Sequence, residues 1–171
     1  TLSATLLPTS GVVGVDASGF DRSHASKHYT KRAELTIQQL KVTLLVDAKV
    51  NAILDLHVTT TRKHDSQIAP SLIKRNPDDI DVLLGDKGYD DQKIRRLARK
   101  HEVRPLIKHR EFTSLHKAWN VRLDTDLYGQ RSQSETVNST LKRKYGAFVR
   151  SRRWWKQFRE LTIACLIHNV D

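Results

Sequence analysis

Two aspartates lie at the ends of short apolar stretches and beside glycines. Asp16 ends the run VVGVD and Asp86 ends the run VLLGD, and another glycine follows each within three residues. A strand end next to glycine is rigid, yet it leaves room for a ligand to approach the backbone. Alone, either aspartate is more typical of a turn or a helix cap. Hard divalent cations prefer carboxylate oxygens, so two aspartates in matching contexts make a metal site the competing interpretation.

A third carboxylate, Glu135, lies in the stretch YGQRSQSETVNSTLKRKYG. At about 100° per residue, one side of a helix through this stretch carries the acid with polar and charged residues. These neighbours of Glu135 are Tyr128, Arg131, Asn138 and Lys142. The apolar residues on the opposite side are Val137, Leu141, Tyr145 and Phe148. An ordinary amphipathic helix with a solvated face explains the apolar side, but it leaves the two strand-end acids unexplained.

The spacing Y-x2-R-x3-E-x6-K, which runs from Tyr128 to Lys142, matches the YREK motif of DDE insertion-sequence transposases. Asp16 and Asp86 precede Glu135 in the order of the three acids of that family. The surrounding sequences VDASG and GDKGYDD are similar to the two aspartate regions of the family. The chain therefore resembles a DDE transposase over nearly its whole length.

The resemblance implies a metal-dependent DNA endonuclease. Its catalytic and metal-binding residues are Asp16, Asp86 and Glu135, with Asp16 bridging two Mg²⁺ ions and each other acid completing one site. Mn²⁺ can substitute. Two ions about 4 Å apart stabilise both the attacking and the leaving oxygen of a phosphodiester. Water attack then frees a 3′-hydroxyl at the end of the element, and this hydroxyl attacks target DNA. The implied partners are double-stranded DNA, as transposon ends and target, and a second copy of the chain in the DNA complex.

The cations of the motif suit phosphate contacts. Arg131 suits a bidentate contact with phosphate through two N–H groups, and Lys142 supplies a point charge. The alternative for both cations is an ion pair with Glu135 on the helix surface. Tyr128 either contacts DNA or packs in the core. The other residues predicted to bind DNA are Arg143, Lys144, Arg152 and Arg153.

Charge supports a polyanionic partner. The chain carries 30 Lys and Arg against 19 Asp and Glu, a net charge of +11. Residues 92–160 hold 19 of these basic residues and 6 of the acids, so the excess lies in the second half of the chain. Nucleic acid fits this asymmetry better than anionic lipid, and a solvated basic surface is the plainer interpretation. Trp154 and Trp155 lie among these cations and either stack on bases or pack in the core.

Hydrophobic patterning predicts an α/β fold, a ribonuclease H-like mixed sheet with a three-strand meander plus parallel strands, flanked by helices. We expect strands at Val12–Asp16, Lys41–Asp47, Ile53–Thr60, Val82–Asp86 and Val103–Ile107. We expect helices over 64–74, 91–100 and 132–144, and a last one marked by Trp154, Phe158, Leu161 and Cys165. The segment 108–130 reads as an irregular basic loop or small insertion. His64 and Asp65 offer cap chemistry for the first helix, and their setting, which resembles a further family segment, is interpreted as structural.

The length of 171 residues predicts one domain. We expect a short lead-in at 1–11 and a catalytic domain at 12–171, with the N-terminal DNA-recognition segment common in the family missing. No apolar run reaches the about 18 residues that a membrane helix needs, and no signal peptide is recognisable. The lone cysteine, Cys165, excludes an internal disulfide; we expect it buried, in a cytoplasmic, DNA-associated protein. The absence of a GxxxxGK[ST] loop argues against a nucleotide cofactor.

Two other functions remain open at this level. The first is a ribonuclease H-like nuclease or resolvase that cuts DNA without joining it, since one fold supports several outcomes. The second is a catalytically inactive remnant that only binds DNA. Buried carboxylates facing a polyanion argue against the remnant, because DNA binding alone has no need of them.

Overall fold

A computed structural model describes residues 9–22, 39–60 and 63–171. The strands are β1 (Val12–Arg22), β2 (Gln39–Asp47), β3 (Ile53–Thr59), β4 (Val82–Gly85), β5 (Arg104–Ile107) and β6 (Phe148–Val149). The α-helices are α1 (Asp65–Arg75), α2 (Gln92–Lys100), α3 (Ser114–Val121), α4 (Thr125–Gly129), α5 (Ser132–Tyr145) and α6 (Trp154–Val170). Short 3₁₀ turns occupy Pro77–Asp79 and Lys87–Tyr89. Within these ranges, no helix is long and apolar enough to cross a membrane.

The strands form one mixed sheet of order β3-β2-β1-β4-β5, and β6 pairs with the far end of β1. The pairs β1–β2 and β2–β3 are antiparallel, whereas β1–β4 and β4–β5 are parallel. Parallel neighbours require crossover connections, which α2 supplies between β4 and β5. The predicted meander followed by parallel strands is therefore confirmed.

Strand β1 is longer than the sequence predicts. It continues past Asp16 to Arg22, because β2 remains paired with it as far as the Asp21–Gln39 pair. On the other edge of β1, the pairing with β4 ends at Gly14, and β6 joins only at Asp21. Among the described residues, the stretch of β1 between these two partners has no strand on that side, so the sheet opens next to Asp16.

Helices cover both faces of the sheet. Helices α1 and α2 pack on one face, against a buried cluster that includes Val13, Val15 and Leu45. Helices α5 and α6 pack on the other face, against a cluster that includes Leu44 and Val46. Side chains of a strand alternate between faces, so Gly14 and Asp16 lie on the α5 side. A Cβ on Gly14 would lie 2.7 Å from Ser134 Oγ of α5, which explains the glycine at this close approach.

Most predicted elements are confirmed within a few residues, and Cys165 is buried as expected. The irregular loop expected over 108–130 is wrong, because this segment contains α3 and α4. Thr113 Oγ1 caps α3 by accepting from the His116 N–H, and the Asp124 carboxylate caps α4 by accepting from the Leu127 N–H. Phe148, assigned to the apolar side of the long helix, begins β6 instead, since Gly146 at a φ of 95° ends α5.

Candidate active site

Asp16 and Asp86 lie side by side at the carboxyl end of the β1–β4 pair. The parallel register joins Val12 to Val82 and Gly14 to Leu84, and β4 ends at Gly85. Continued by two residues on each strand, the same register sets Asp16 opposite Asp86. Neighbouring strands are about 4.8 Å apart, so both carboxylates face one opening at this edge.

Asp16 is tied to the helix that carries Glu135. Asn138 Nδ2 of α5 donates a hydrogen bond of 2.9 Å to Asp16 Oδ2. Burial raises the pKa of Asp16 above its ordinary value, and the nearby charge of Glu135 adds to that rise. Hydrogen bonds from Asn138 and from the backbone of Ala17, and the charge of Arg131, act in the opposite direction. Asp16 is therefore a partly desolvated carboxylate within electrostatic range of the other site residues.

Asp86 occupies the N-cap of the Lys87–Tyr89 turn. Its Oδ1 accepts a hydrogen bond of 2.7 Å from the Gly88 N–H. This bond fixes the carboxylate at the strand end and accounts for the turn that follows. The sequence GDKGYDD thus folds into a capped turn, as its composition suggests.

Glu135 and Arg131 form an ion pair of 2.7 Å between positions i and i+4. The side chain of Glu135 is 54% exposed and that of Arg131 21% exposed. Burial acts to lower the pKa of Arg131, but its hydrogen bond to Glu135 and the charges of Glu135, Tyr128 and Asp86 raise it overall. Arg131 is therefore a permanent cation between the acids. The ion pair weighed in the sequence analysis is formed, and a phosphate contact for Arg131 stays a prediction.

Tyr128 belongs to α4 rather than to the long helix, and a tight turn through Gln130 joins the two. Its ring packs partly buried against the cluster around Leu84 and Leu106. Burial raises the pKa of its hydroxyl, which is hydrogen-bonded to Arg131 and lies near Asp86. Both interpretations of Tyr128 stay compatible with this position, since the ring packs in the core while the hydroxyl faces the site.

Lys142 lies about two turns beyond Glu135 on α5, and its Nζ is 5.4 Å from the ring centroid of the buried Phe20. This contact places the lysine over the face of β1 that α5 covers, beyond Asp16 along the strand. The remaining residues predicted to bind DNA are all exposed: Arg143, Lys144, Arg152 and Arg153. Lys144 forms an ion pair of 3.0 Å with Asp171.

The backbone that carries Arg152 and Arg153 is held in place by α6. The Glu160 carboxylate accepts hydrogen bonds from the N–H groups of Arg150 and Ser151, and Gln157 Nε2 donates to the Ser151 carbonyl. Burial of Glu160 acts to raise its pKa, but these bonds lower it overall. The basic side chains therefore project from a fixed loop. Trp154 and Trp155 beside them are about half exposed, and Lys156 and Arg159 lie over the Trp155 ring.

The sequence analysis assigned no site role to three residues near the acids: Lys41, Asp65 and Tyr89. His64, expected to cap α1, makes no side-chain cap, and Asp65 instead forms an ion pair of 2.6 Å with Lys41 of β2. Tyr89 follows Asp86 by three residues, and it is buried beside Asp65, Asp16 and Asp86. The signal for Tyr89 is an aromatic residue within an otherwise polar aspartate region. Lys41 and Asp65 carry no joint signal, because their pairing depends on the fold.

The acids do not form a preassembled metal cluster. Within 9–22, 39–60 and 63–171, no three His, Cys, Asp or Glu side chains converge closely enough to hold one ion. Instead, each acid has a separate donor, as described above. The chemistry nevertheless fits a hard cation, because the atoms available as ligands are oxygens. Two further oxygens near the acids, Asn138 Oδ1 and Tyr89 Oη, are buried without a hydrogen-bond partner in the described residues.

A second network fixes the loop that follows Asp86. The buried Arg95 of α2 donates to Asp90 Oδ1 and to the Ile107 carbonyl, and Asp90 Oδ2 accepts from the Arg110 N–H. Partial burial acts to raise the pKa of Asp90, but these donors lower it overall. Lys87, next to Asp86, pairs with Glu111 at 2.9 Å. The ends of β4 and β5 are thereby held together beside the site.

Comparisons with known proteins agree with this geometry. Residues 8–170 match the family model described as Transposase DDE domain. The fold is similar to the catalytic core domain of BIV integrase, with a TM-score of 0.54 at 11% identity over 92% of this chain and 82% of that chain. It is also similar to a chain of a simian T-cell lymphotropic virus intasome in complex with PP2A regulatory subunit B56 gamma. That match has a TM-score of 0.54 at 12% identity, over 92% of this chain and 47% of the other. No curated protein matches the chain. These structures share the ribonuclease H-like fold.

Proposed function

Since this chain belongs to the family of transposase DDE domains, we propose that Asp16, Asp86 and Glu135 form its catalytic site and hold two divalent cations. As a domain of that family, the protein is an enzyme that cleaves DNA and transfers its strands. Mg²⁺ is the proposed cation, and Mn²⁺ can replace it.

The observation that carries the proposal is the junction of β1, β4 and α5. The parallel register brings Asp16 level with Asp86, and the Asn138–Asp16 hydrogen bond brings α5, with Glu135, to the same edge. Three acids from distant parts of the chain thus face an opening in the sheet. A merely structural role would leave such acids in saturated ion pairs, whereas Asp16 forms none among the described residues.

The bound cations would lower the pKa of water and stabilise the charge that develops on the leaving oxygen. Asn138 holds the Asp16 carboxylate in one orientation, and Gly88 does the same for Asp86. Arg131 exchanges its pairing with Glu135 for a DNA phosphate, which it can bind through two N–H groups. The Tyr128 hydroxyl, next to Arg131, contacts the same strand.

DNA lies along the surface formed by the end of α5 and the loop before α6. Arg143, Lys144, Arg152 and Arg153 contact phosphates there, which positions the duplex without reading its sequence. Lys142 bridges this surface and the acids, since its Nζ lies over the Phe20 ring of β1. Transposon ends and target DNA are the proposed substrates, and two copies of the protein act together on them.

The test compares two acids with the same local role. Asp86 and Asp91 each accept a hydrogen bond of 2.7 Å from the N–H two residues later, Asp86 at the site and Asp91 at the start of α2. Asp86→Asn should abolish Mg²⁺-dependent nicking and strand transfer of labelled DNA while leaving circular dichroism and DNA binding intact. Asp91→Asn should retain both reactions. Nicking at a normal rate by Asp86→Asn would overturn the assignment.

A further inference from the structure

Asp65, at the start of α1, lies near the proposed catalytic acids. It is the first residue of α1, and Asp86 is the N-cap of the Lys87–Tyr89 turn. A Cβ on Gly88 would lie 2.8 Å from Asp86 Oδ1 and 3.6 Å from Asp65 Oδ2. Two carboxylates of different elements therefore lie close to the same glycine, where a side chain would crowd both.

Tyr89 provides an independent observation. Its side chain is 2% exposed, and its hydroxyl has no hydrogen-bond partner in the described part of the chain. Burial raises the pKa of this hydroxyl strongly, and the charges of Asp65, Asp16 and Asp86 raise it further. An unpartnered buried donor among three carboxylates is costly unless a ligand completes its surroundings. The unpartnered hydroxyl therefore lies within electrostatic range of all three acids.

We infer that Asp65 is a fourth carboxylate of the cation site, with Lys41 as its counter-charge when no cation is bound. This inference rests on the proposed function of Asp16, Asp86 and Glu135. Lys41 Nζ lies 2.6 Å from Asp65 Oδ1 and also donates to the Lys63 carbonyl. The lysine thus has a second partner that holds it when Asp65 turns toward the cation.

The charge balance of the site agrees with this role. Within the described ranges, the ion pairs of the four acids are Lys41–Asp65 and Arg131–Glu135. Four carboxylates and two cations leave a local surplus of negative charge, which bound divalent ions would neutralise. A surplus of like charge at close range disfavours the ionised forms unless a cation is supplied.

The alternative is that Asp65 only anchors α1 to the sheet. The other end of α1 has such an anchor, where Arg75 Nε donates to Asp55 Oδ2 of β3 at 2.8 Å. Asn76 donates to the same oxygen and Arg75 also binds the Leu56 carbonyl, so that pair is saturated. Arg75→Gln is therefore a matched control, since it removes one ion pair of the same helix at the end remote from Asp65.

The experiment measures Mn²⁺ affinity by electron paramagnetic resonance and the metal-free Tm in EDTA, on the full chain. We expect Asp65→Asn to weaken Mn²⁺ binding about tenfold or more, as losses at metal sites do. Lys41→Met should tighten Mn²⁺ binding and increase the gain in Tm on adding Mg²⁺, because the competing cation is gone. Arg75→Gln should lower the metal-free Tm and leave the affinity unchanged.

Two outcomes distinguish a failure of the Asp65 inference from a failure of the proposed function. If Asp65→Asn and Lys41→Met lower the metal-free Tm as Arg75→Gln does and neither shifts Mn²⁺ affinity, Asp65 is an anchor and the inference is wrong. Asp86→Asn must lose Mn²⁺ binding in the same assay. If it binds Mn²⁺ normally, the proposed function itself fails, and Asp65 has no site to join.

Discussion

Asn138 Nδ2 donates a hydrogen bond of 2.9 Å to Asp16 Oδ2 across 122 positions of the chain. The bond joins the middle of β1 to the face of α5 that also carries Glu135, three residues earlier. Asn138 is 5% exposed, and its Oδ1 accepts no hydrogen bond in the described residues. A buried amide that uses its donor on one acid and leaves its acceptor open is suited to orient a metal ligand.

Asn138→Ala should weaken both Mg²⁺ binding and cleavage by about 10- to 100-fold, as for other residues that orient metal ligands. The reason is that Asp16 loses its only side-chain donor among the described residues and is free to rotate. Ser139→Ala, at the next and exposed position, serves as the control. Mn²⁺ titration and single-turnover cleavage measure the two effects. Unchanged affinity with a lowered Tm would mean that the bond serves the fold alone.

Lys142 allows its charge to be separated from its packing. Its Nζ lies over the buried Phe20 ring, so Lys142→Ala removes both the long side chain that reaches this ring and its charge. Lys142→Met keeps an unbranched stem on the ring while removing the charge. We expect both variants to cleave at least tenfold more slowly, and only the alanine variant to lose stability. Cleavage kinetics and urea unfolding of the two variants measure this, and a methionine variant of normal activity would contradict the phosphate role.

The Asp90 network should make the fold sensitive to acid. Hydrogen bonds from Arg95 and from the Arg110 N–H, which outweigh burial, hold the pKa of Asp90 below its ordinary value. A carboxylate with a depressed folded pKa contributes stability that is complete above its unfolded pKa, near 3.9, and is lost as the pH falls through the folded value. Asp90→Asn should therefore flatten the decline in unfolding free energy below about pH 4.

Urea unfolding between pH 2.5 and pH 6 measures that slope, with Asp78→Asn, at an exposed acid of the Pro77–Asp79 turn, as the control. The difference between wild type and Asp90→Asn should shrink as the pH falls. A constant difference across the range would show that Asp90 contributes no pH-dependent stability.

The basic loop before α6 should contribute to the salt dependence of DNA binding. Each neutralised phosphate makes the slope of log K against log salt more negative by about 0.9. Arg152→Ala with Arg153→Ala should therefore make the slope less negative by up to about 2, on transposon-end and scrambled duplex alike. The control is Arg99→Ala with Lys100→Ala, two exposed cations on α2, which packs on the opposite face of the sheet. Equal losses for the two double variants would indicate a diffuse charge effect rather than a DNA-binding surface.

The sequence predicts the parts of the site that carry local signals. Asp16 and Asp86 follow apolar runs, and Glu135 lies in a spaced motif, so each was recognisable without the fold. Asn138 lies on the same side of the helix as Glu135 in the helical-wheel projection. Its hydrogen bond to Asp16, however, depends on how closely α5 approaches β1 at Gly14. Polar residues on a helix are usually solvated, and only the tertiary structure shows that this one is buried.

The elements that escaped prediction depend on partners far along the chain. Strand β6 has two residues and exists because β1 extends beyond Asp16 to receive it. The helices α3 and α4 begin at Thr113 and Asp124 caps, in a segment whose irregular, basic sequence was interpreted as a loop. The Lys41–Asp65 pair joins β2 to α1, and no spacing within either element indicates it.

Tyr89→Phe tests whether the buried hydroxyl serves the site rather than the fold. A buried donor without a partner costs about 1–3 kcal/mol, and the ring itself packs against the core with Ile107 and Ile94. Removing the hydroxyl should therefore raise the metal-free unfolding free energy by about 1 kcal/mol, with the ring packing unchanged. The gain in Tm on adding Mg²⁺ should become smaller, because the hydroxyl is no longer present to hydrogen-bond within the filled site. Tyr145→Phe, whose hydroxyl donates to the exposed Asp171, is the control and should change neither quantity appreciably. Urea unfolding in EDTA and thermal unfolding with Mg²⁺ measure both effects, and a loss of metal-free stability in Tyr89→Phe would show that the hydroxyl is satisfied within the fold.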